Sequence, residues 1–420
     1  MLSSANWLAG LTALVCAAST AVAQEPLTAA RVLALTSATS EARRAESLVA
    51  EARGRLVGAG VWSERNPSLA AETGPRLGDR TTLEARVSLE VPLEPWGHRG
   101  RRLDAARAEL TREEHAAAEV RRRVAGEALA AFYRALHAAE AVRAAGEQQA
   151  LARGLLAVAE ERHRQGDVPL LHVKLVQAEL VRAGGGVRAA EQREAEARTA
   201  LARVLGRPDA LAVPLEGDLA DRSWFDAVPA EWAAGPHRPD LRAAAAEVVQ
   251  VRAELALAEL HRRPETAVTL GYGREEGADV VTAGFSVSLP LFNRGEGRRE
   301  ALAARLRGAR LAAAAARAGA EAEAEGGRRA YRAAVAALAA LEAEALPLQA
   351  ENARLAEEAY RAGKIDLSSL LLIRREHLEL ERAALDRRLD ACLAGLELAV
   401  ASGALSIPDP TVPDDGDLHR

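Results

Sequence analysis

Polar and apolar residues alternate with a period of two over 82–91: Leu83, Ala85, Val87, Leu89 and Val91 fall on one face, and Thr82, Glu84, Arg86, Ser88 and Glu90 on the other. The alternation returns over 281–289, where Val281, Ala283, Phe285, Val287 and Leu289 stand opposite Thr282, Gly284, Ser286 and Ser288. Runs at 67–73 and 265–273, joined to these by short glycine-containing loops, complete two predicted β-hairpins. Each hairpin turns a strand-to-helix corner, at Pro92 and Gly97 or at Pro290 and Gly295, into an alanine-rich helical pattern over 97–145 or 295–346. At 1.5 Å per residue such a helix is on the order of 70 Å long. Each is expected to reverse, near 144–149 and near Pro347, and to return through an equatorial break at Gly166 or Gly363 to a final helix.

The two halves are copies. VSLEVPLEPWGHRG (87–100) matches SVSLPLFNRGEG (286–297), with Gly97 recurring as Gly295, 198 residues on. FYRAL at 132–136 faces AYRAA at 330–334, and AEERHRQGDVPLL at 159–171 faces AEEAYRAGKIDLS at 356–368. A steady offset over about a hundred residues marks a duplicated unit rather than shared composition. The expected organisation is a signal peptide at 1–23, a first repeat at 24–206, a proline-rich linker at 207–239, a second repeat at 240–403 and a disordered tail at 404–420.

Composition changes this picture little. Hydrophobic residues make up 49% of the 420 but aromatic residues only 3%, which favours thin helical layers zipped through small side chains over a bulky core. Heptad-like stripes run through Ala334, Leu338, Leu341, Ala345 and Leu348, and through Leu378, Leu385, Leu389, Cys392, Leu396 and Ala399. The net charge of −5 points to no nucleic-acid partner. Residues 1–23 carry no charged side chain and end in Ala21-Val22-Ala23, an export signal with cleavage expected before Gln24. Val15 ahead of Cys16 is bulky for a lipidation site, and once Cys16 is removed Cys392 stands alone, without an intrachain disulfide.

A strand face of Leu, Val, Ala and Phe opposite one of Glu, Arg, Thr and Ser suits a wall between lipid and water. Four strands hardly close on themselves, and an open edge is not tolerated in hydrocarbon. A membrane reading therefore requires several copies, three giving twelve strands. The alternative is a soluble hairpin lying on helices, as in a periplasmic coiled-coil scaffold or adaptor. The pore-lining candidates of the membrane reading are Glu72, Glu84, Arg86 and Glu90. The acids Glu140, Glu147, Glu342 and Glu344, placed near the expected reversals, are candidates for a periplasmic entrance ring or for a solvated helix face.

Repeat, corners and breaks together resemble the outer-membrane efflux (TolC-like) family over nearly the whole mature chain. RPDLRAAAAEV (238–248) and SLPLFNRGEG (288–297) look most like the channels paired with heavy-metal cation pumps. The resemblance implies a mostly α fold with a membrane β-barrel portion: a long α-helical coiled-coil barrel plus four strands per protomer, closing as a 12-stranded barrel in a homotrimer. It further implies a passive duct in the cell outer membrane, extending into the periplasm and meeting outer-membrane lipid. Its implied partners are a periplasmic adaptor (membrane fusion) protein and an inner-membrane pump of the resistance-nodulation-division type. A drug-efflux or type I secretion channel is the alternative within the family.

Enzyme chemistry finds no footing. In Gly363-Lys364, Ile365 replaces the Ser/Thr of a nucleotide loop and Glu358 stands at its first glycine. Gly295-x-Gly297 has Glu300 where a dinucleotide turn needs a small residue. The nine histidines form no metal-binding spacing, and neither a metal nor a cofactor is expected.

Overall fold

The computed structural model describes residues 25–76, 82–221, 238–275 and 278–405. The expected signal peptide, the second part of the proline-rich stretch and nearly all of the tail lie outside the described residues. The first half comprises α1 (Ala29–Thr36), α2 (Ser40–Ala59), β1 (Ser68–Arg76), β2 (Thr82–Leu93), α3 (His98–Arg164) and α4 (Leu170–Leu205). The second comprises α5 (Pro239–Ala258), β3 (Glu265–Glu275), β4 (Ala278–Ser288), α6 (Glu296–Ala340), a π-helical segment at Leu341–Ala345, α7 (Leu346–Arg361) and α8 (Leu367–Ser402). The copies agree in length: α2 and α5 have 20 residues each, and α4 and α8 have 36 each. The long arms run 67 residues in α3 and 66 over Glu296–Arg361.

These arms correct the expected reversals. Helix continues through 144–149, because Gly146 lies on a helix already held by its neighbours, where one glycine costs only about 1 kcal/mol. Pro347 is also passed, at the start of α7. Its missing N–H and its ring exclude an ordinary turn, and the π-helical segment just before it absorbs the misfit. The arms are therefore about 100 Å long. They reverse at Gly166 and Gly363, which are hairpin turns at the ends farthest from the sheet, not equatorial breaks. Both turns are built alike. The N–H of Asp167 donates to the Arg162 carbonyl (2.9 Å) and that of Lys364 to the Ala359 carbonyl (2.8 Å). The glycine between is left-handed, with φ of 82° or 70°.

The core is thin and centred on α3, which packs against α1, α2, α4, α5 and α8. Its largest buried side chains include Leu129 and Phe132 of α3, Leu201 of α4, Val32 of α1 and Cys392 of α8. Alanine fills much of the remainder. Tyr133 is buried edge-on to Phe132, and burial pushes its hydroxyl pKa up to about 12. A smaller cluster of Val173, Val176, Tyr360, Leu367 and Leu370 holds the two turn ends together. Of the expected coiled-coil stripes, Leu338, Cys392, Leu396 and Ala399 are buried while Leu348 is exposed.

The stretch expected as a linker is part of this core over its described residues. Leu27 bridges to Leu215 in parallel, and Leu219 is buried with its carbonyl accepting from the Cys392 thiol at 3.1 Å. Pro208 and Pro214 fix the backbone there rather than leave it loose.

One window within Glu296–Arg361 is long and apolar enough, by length and composition, to cross a membrane. The arm is alanine-rich rather than lipid-like. Its neighbour α8, antiparallel to it, carries Arg374, Arg375, Arg382, Arg387 and Arg388, which would have to enter hydrocarbon with it at prohibitive cost.

Candidate functional site: a two-faced sheet on helical arms

The hairpins join through β2 and β3 into one antiparallel sheet of order β1-β2-β3-β4. Register aligns the alternation across all four strands. Ala71 faces Val87, Val87 faces Tyr272 and Tyr272 faces Val281; in the next row Leu69, Leu89, Leu270 and Ala283 follow one another. Across these rows one face is apolar from edge to edge, and it is bare: Leu83 is 78%, Val281 79% and Phe285 64% exposed; toward the hairpin loops the same face carries Thr73, Arg274 and Asp279. Among the described residues β1 and β4 each have one edge without a partner strand.

The opposite face holds the pore-lining candidates. Glu72 lies directly across from Arg86, while Glu84 faces Gly74 and Glu90 faces Ser68 and Thr269. Arg86 forms an ion pair with Glu275 of β3, which sequence reasoning missed. The pair is diagonal. Arg86 faces Gly273, where an added Cβ would stand 3.4 Å from its own Cβ, so the glycine clears its path. No local pattern signals this, because the two residues are 189 apart. The β3 and β4 part of this face carries Thr269, Gly271, Thr282, Gly284 and Ser286, with Glu265 and Glu275 at the two ends of β3.

Corner residues occupy the passage from sheet to helix. Gly97 and Gly295 precede α3 and α6 with φ of 80° and 73°, a conformation that strains any residue with a Cβ. Pro92 is buried in the last turn of β2, and Pro290 follows β4. Burial pushes the Glu94 carboxyl up, but hydrogen bonds from the Glu64 N–H (2.9 Å) and from Arg102 outweigh it and hold it below the usual range.

The entrance candidates do not gather at the turns. Glu140 and Glu147 stand about 36 and 26 Å short of the end of α3. They line a groove of about 540 Å³ with Leu346 and Arg388. Glu342 belongs to the π-helical segment and accepts from Arg388 Nε at 2.8 Å, while Glu344 is exposed. The acids converge at mid-height because the arms run on past the expected reversals. At the turns themselves the structure places Arg162 5.4 Å over the Tyr360 ring, and Asp366 accepting from the Ser369 N–H at 3.0 Å. Hydrogen bonding from the Ser369 side chain, and then from its N–H, lowers the Asp366 pKa. Among the described residues no group of three or more His, Cys, Asp or Glu is placed to hold a metal ion.

A four-stranded, two-faced sheet carried on paired helical arms is the protomer fold of several solved outer-membrane channels. The Campylobacter jejuni CmeC outer membrane channel superposes with a TM-score of 0.74 at 15% identity, covering 89% of this chain and 85% of that one. The outer membrane protein VceC of Vibrio cholerae gives 0.72 at 18% identity, covering 89% and 96%. CusC, whose structures follow transmembrane channel formation, gives 0.70 at 16% identity, covering 89% and 91%. Among curated proteins, Protein CyaE of Bordetella pertussis is 31% identical over 236 residues, 53% of this chain and 49% of that relative, so the match spans about half its length. No family model matches the sequence. At these identities the likeness establishes the fold.

Proposed function

We propose that the chain is one protomer of a trimeric outer-membrane efflux channel, a passive duct from periplasm to exterior. The observation that carries this reading is the sheet: an edge-to-edge apolar face left bare, a charged face behind it, and two open edges that only further copies can close. Three copies give twelve strands around a lumen lined by Glu72, Glu84, Arg86, Glu90 and Glu275. The long arms then form a tunnel in the periplasm, closed or opened at the turns around Gly166 and Gly363. Solved channels of the same fold support the assignment.

A groove of about 740 Å³ between the α3/α4 and α7/α8 hairpins has Leu151, Leu155, Leu371 and Leu378 in its lining, along with Arg182, Arg354 and Glu357. Its apolar floor and charged rim suit a helical hairpin of a periplasmic adaptor linked to an inner-membrane pump of the resistance-nodulation-division type. The cargo that fits the acidic excess on the charged face is metal cations. Native mass spectrometry of the detergent-solubilised protein, with conductance in planar bilayers, tests the duct; a monomer without conductance refutes it. Metal accumulation in a strain lacking the chain tests the cargo. Accumulation of a drug or a secreted polypeptide instead reassigns the cargo and leaves the duct standing.

A further inference from the structure

The junction between sheet and helices has chemistry that a duct does not require. Leu289 continues the apolar row of β4 beyond the strand, and Leu291 and Phe292 follow it; Phe292 is 101% exposed and Trp62, at the foot of β1, is 63% exposed. This surface is held firmly rather than loosely draped. The Trp96 indole N–H donates to the Pro264 carbonyl at 2.9 Å, and Arg99 Nε donates to the Gly60 carbonyl at 2.9 Å. A rigid frame that keeps large apolar side chains in water is unfavourable unless an apolar phase covers them.

Only some of the cations beside this surface have counter-charges. Arg65 and Arg102 pair with Glu265 and Glu94. Arg262, Arg263, Arg294 and Arg298 are exposed, and among the described residues none has a carboxylate within ion-pair distance; the charge of Arg294 is offset in part by Glu296, which accepts from the Arg294 N–H at 3.1 Å. Arg263 instead stands 5.6 Å over the Trp96 ring. Exposed aromatic side chains bordered by unneutralised arginines, at the end of a lipid-facing surface, match the boundary where acyl chains give way to charged headgroups.

We propose that this junction is a collar for the headgroups of anionic phospholipids, with Phe292 and Trp62 at the level of the acyl boundary and Arg263, Arg294 and Arg298 on lipid phosphates. The inference rests on the reading of the sheet as a membrane wall. A second copy of the chain is the poorer occupant, because its own junction carries the same unneutralised arginines, whereas an anionic headgroup supplies the missing charge.

The test reconstitutes the full chain into vesicles of phosphatidylethanolamine, alone or mixed with phosphatidylglycerol. Thermal stability of the inserted protein is measured, and retained lipid is counted by native mass spectrometry. Phosphatidylglycerol should raise the melting midpoint and co-purify, and high salt should reduce both effects. The Arg263→Gln/Arg294→Gln/Arg298→Gln variant should insert normally but bind phosphatidylglycerol about fivefold more weakly for each arginine removed. A variant that inserts and responds to phosphatidylglycerol as the parent does overturns the collar and leaves the channel intact. A variant that loses its oligomer in phosphatidylethanolamine alone also overturns it, since the arginines then join copies rather than hold lipid. Failure of the parent chain to insert into either vesicle removes the membrane reading together with the collar.

Discussion

The guanidinium of Arg238 donates to the Ala401 carbonyl at 2.7 Å, joining the residue that opens α5 to the last turn of α8. The same side chain, 4% exposed, pairs with Asp240 at 2.7 Å and with Glu323 of α6 at 2.9 Å. Arg122 of α3 donates to the neighbouring Val400 carbonyl at 2.5 Å. Two arginines thus donate to carbonyls in the last turn of α8, and four helices are tied at one point. Arg238→Met should lower stability by about 2 kcal/mol, the scale of a buried charged hydrogen bond. Arg238→Lys should fall between, since an ammonium cannot span all three partners. Melting of the purified protein measures both; a loss within a few tenths of a kcal/mol for Arg238→Met would mean that solvent replaces these bonds.

Acid should loosen the same region. Burial raises the Asp240 pKa, but the hydrogen bond and charge of Arg238, with the Leu241 N–H and the charge of Arg122, together outweigh it, and the folded-state value lies below the ordinary one. Glu94 and Asp366 are shifted in the same direction. For a depressed carboxylate, the stabilising contribution is complete above the unfolded pKa, near 4, and is lost as pH falls through the lower folded value. Melting temperature should therefore be flat from neutrality to about pH 5 and drop below about pH 4. Arg238→Met should show a shallower acid drop, because its Asp240 no longer has the Arg238 pairing to lose.

The corner glycines should not be equally replaceable. Alanine at Gly97 meets nothing within 4 Å and carries only the left-handed strain, about 1–2 kcal/mol. At Gly295 the same strain is joined by a Cβ placed 3.2 Å from that of His261. Gly295→Ala should therefore lower the melting temperature more than Gly97→Ala. Equal losses would show that the His261 segment yields freely.

Neighbouring residues on β2 should respond in opposite ways. Val87 lies on the bare apolar face between Ala71 and Tyr272, and Ser88 lies on the charged face between Ala70 and Gly271. An arginine in lipid near the midplane costs roughly 2–4 kcal/mol. Val87→Arg should deplete assembled protein in the outer membrane, whereas Ser88→Arg should assemble and alter conductance alone. Val287→Arg and Ser288→Arg form the matching pair on β4. Equal tolerance of both members would rule out a lipid-facing sheet.

Ion preference follows from the charged face. This face sets the carboxylates of Glu72, Glu84, Glu90 and Glu275 against Arg86, which is paired with Glu275. Reversal potentials in a salt gradient should show cation preference, weakened by Glu84→Gln with Glu90→Gln and weakened also by Glu275→Gln, which frees a cation. Arg86→Gln should strengthen it. Anion preference in the parent chain, or indifference to all three changes, would contradict a lumen on this side.

The strands were legible in the sequence because a period of two needs only near neighbours, and the observed faces are those of the alternation at Val87 and Val287. Corner glycines were legible because proline and glycine act locally. The turns were misplaced for a related reason. Gly146 and Pro347 look like breakers, but neighbouring helices hold the backbone at the first and a π-helical turn relieves the second, and only packing reveals either. The packed stretch near Leu219 and the Arg86–Glu275 pair depend on contacts between distant segments, and no spacing rule reaches them. The metal-export reading still draws on the resemblance at 238–248, where the structure assigns Arg238 to bracing.

The open edges of β1 and β4 have a kinetic consequence. The helices close their hydrogen bonds within a chain, so each protomer can mature alone up to its sheet. In the proposed trimer the last ladder is made between chains, and its formation is a reaction of higher order whose yield rises with concentration. Until then two strands of unmatched N–H and C=O groups can recruit any extended peptide. Pro75 and Gly74 on β1 shorten the stretch that such a peptide can grip. Slow synthesis should therefore favour loss of the chain to proteolysis or mispairing over assembly, a dependence that a self-closing barrel of the same size does not have.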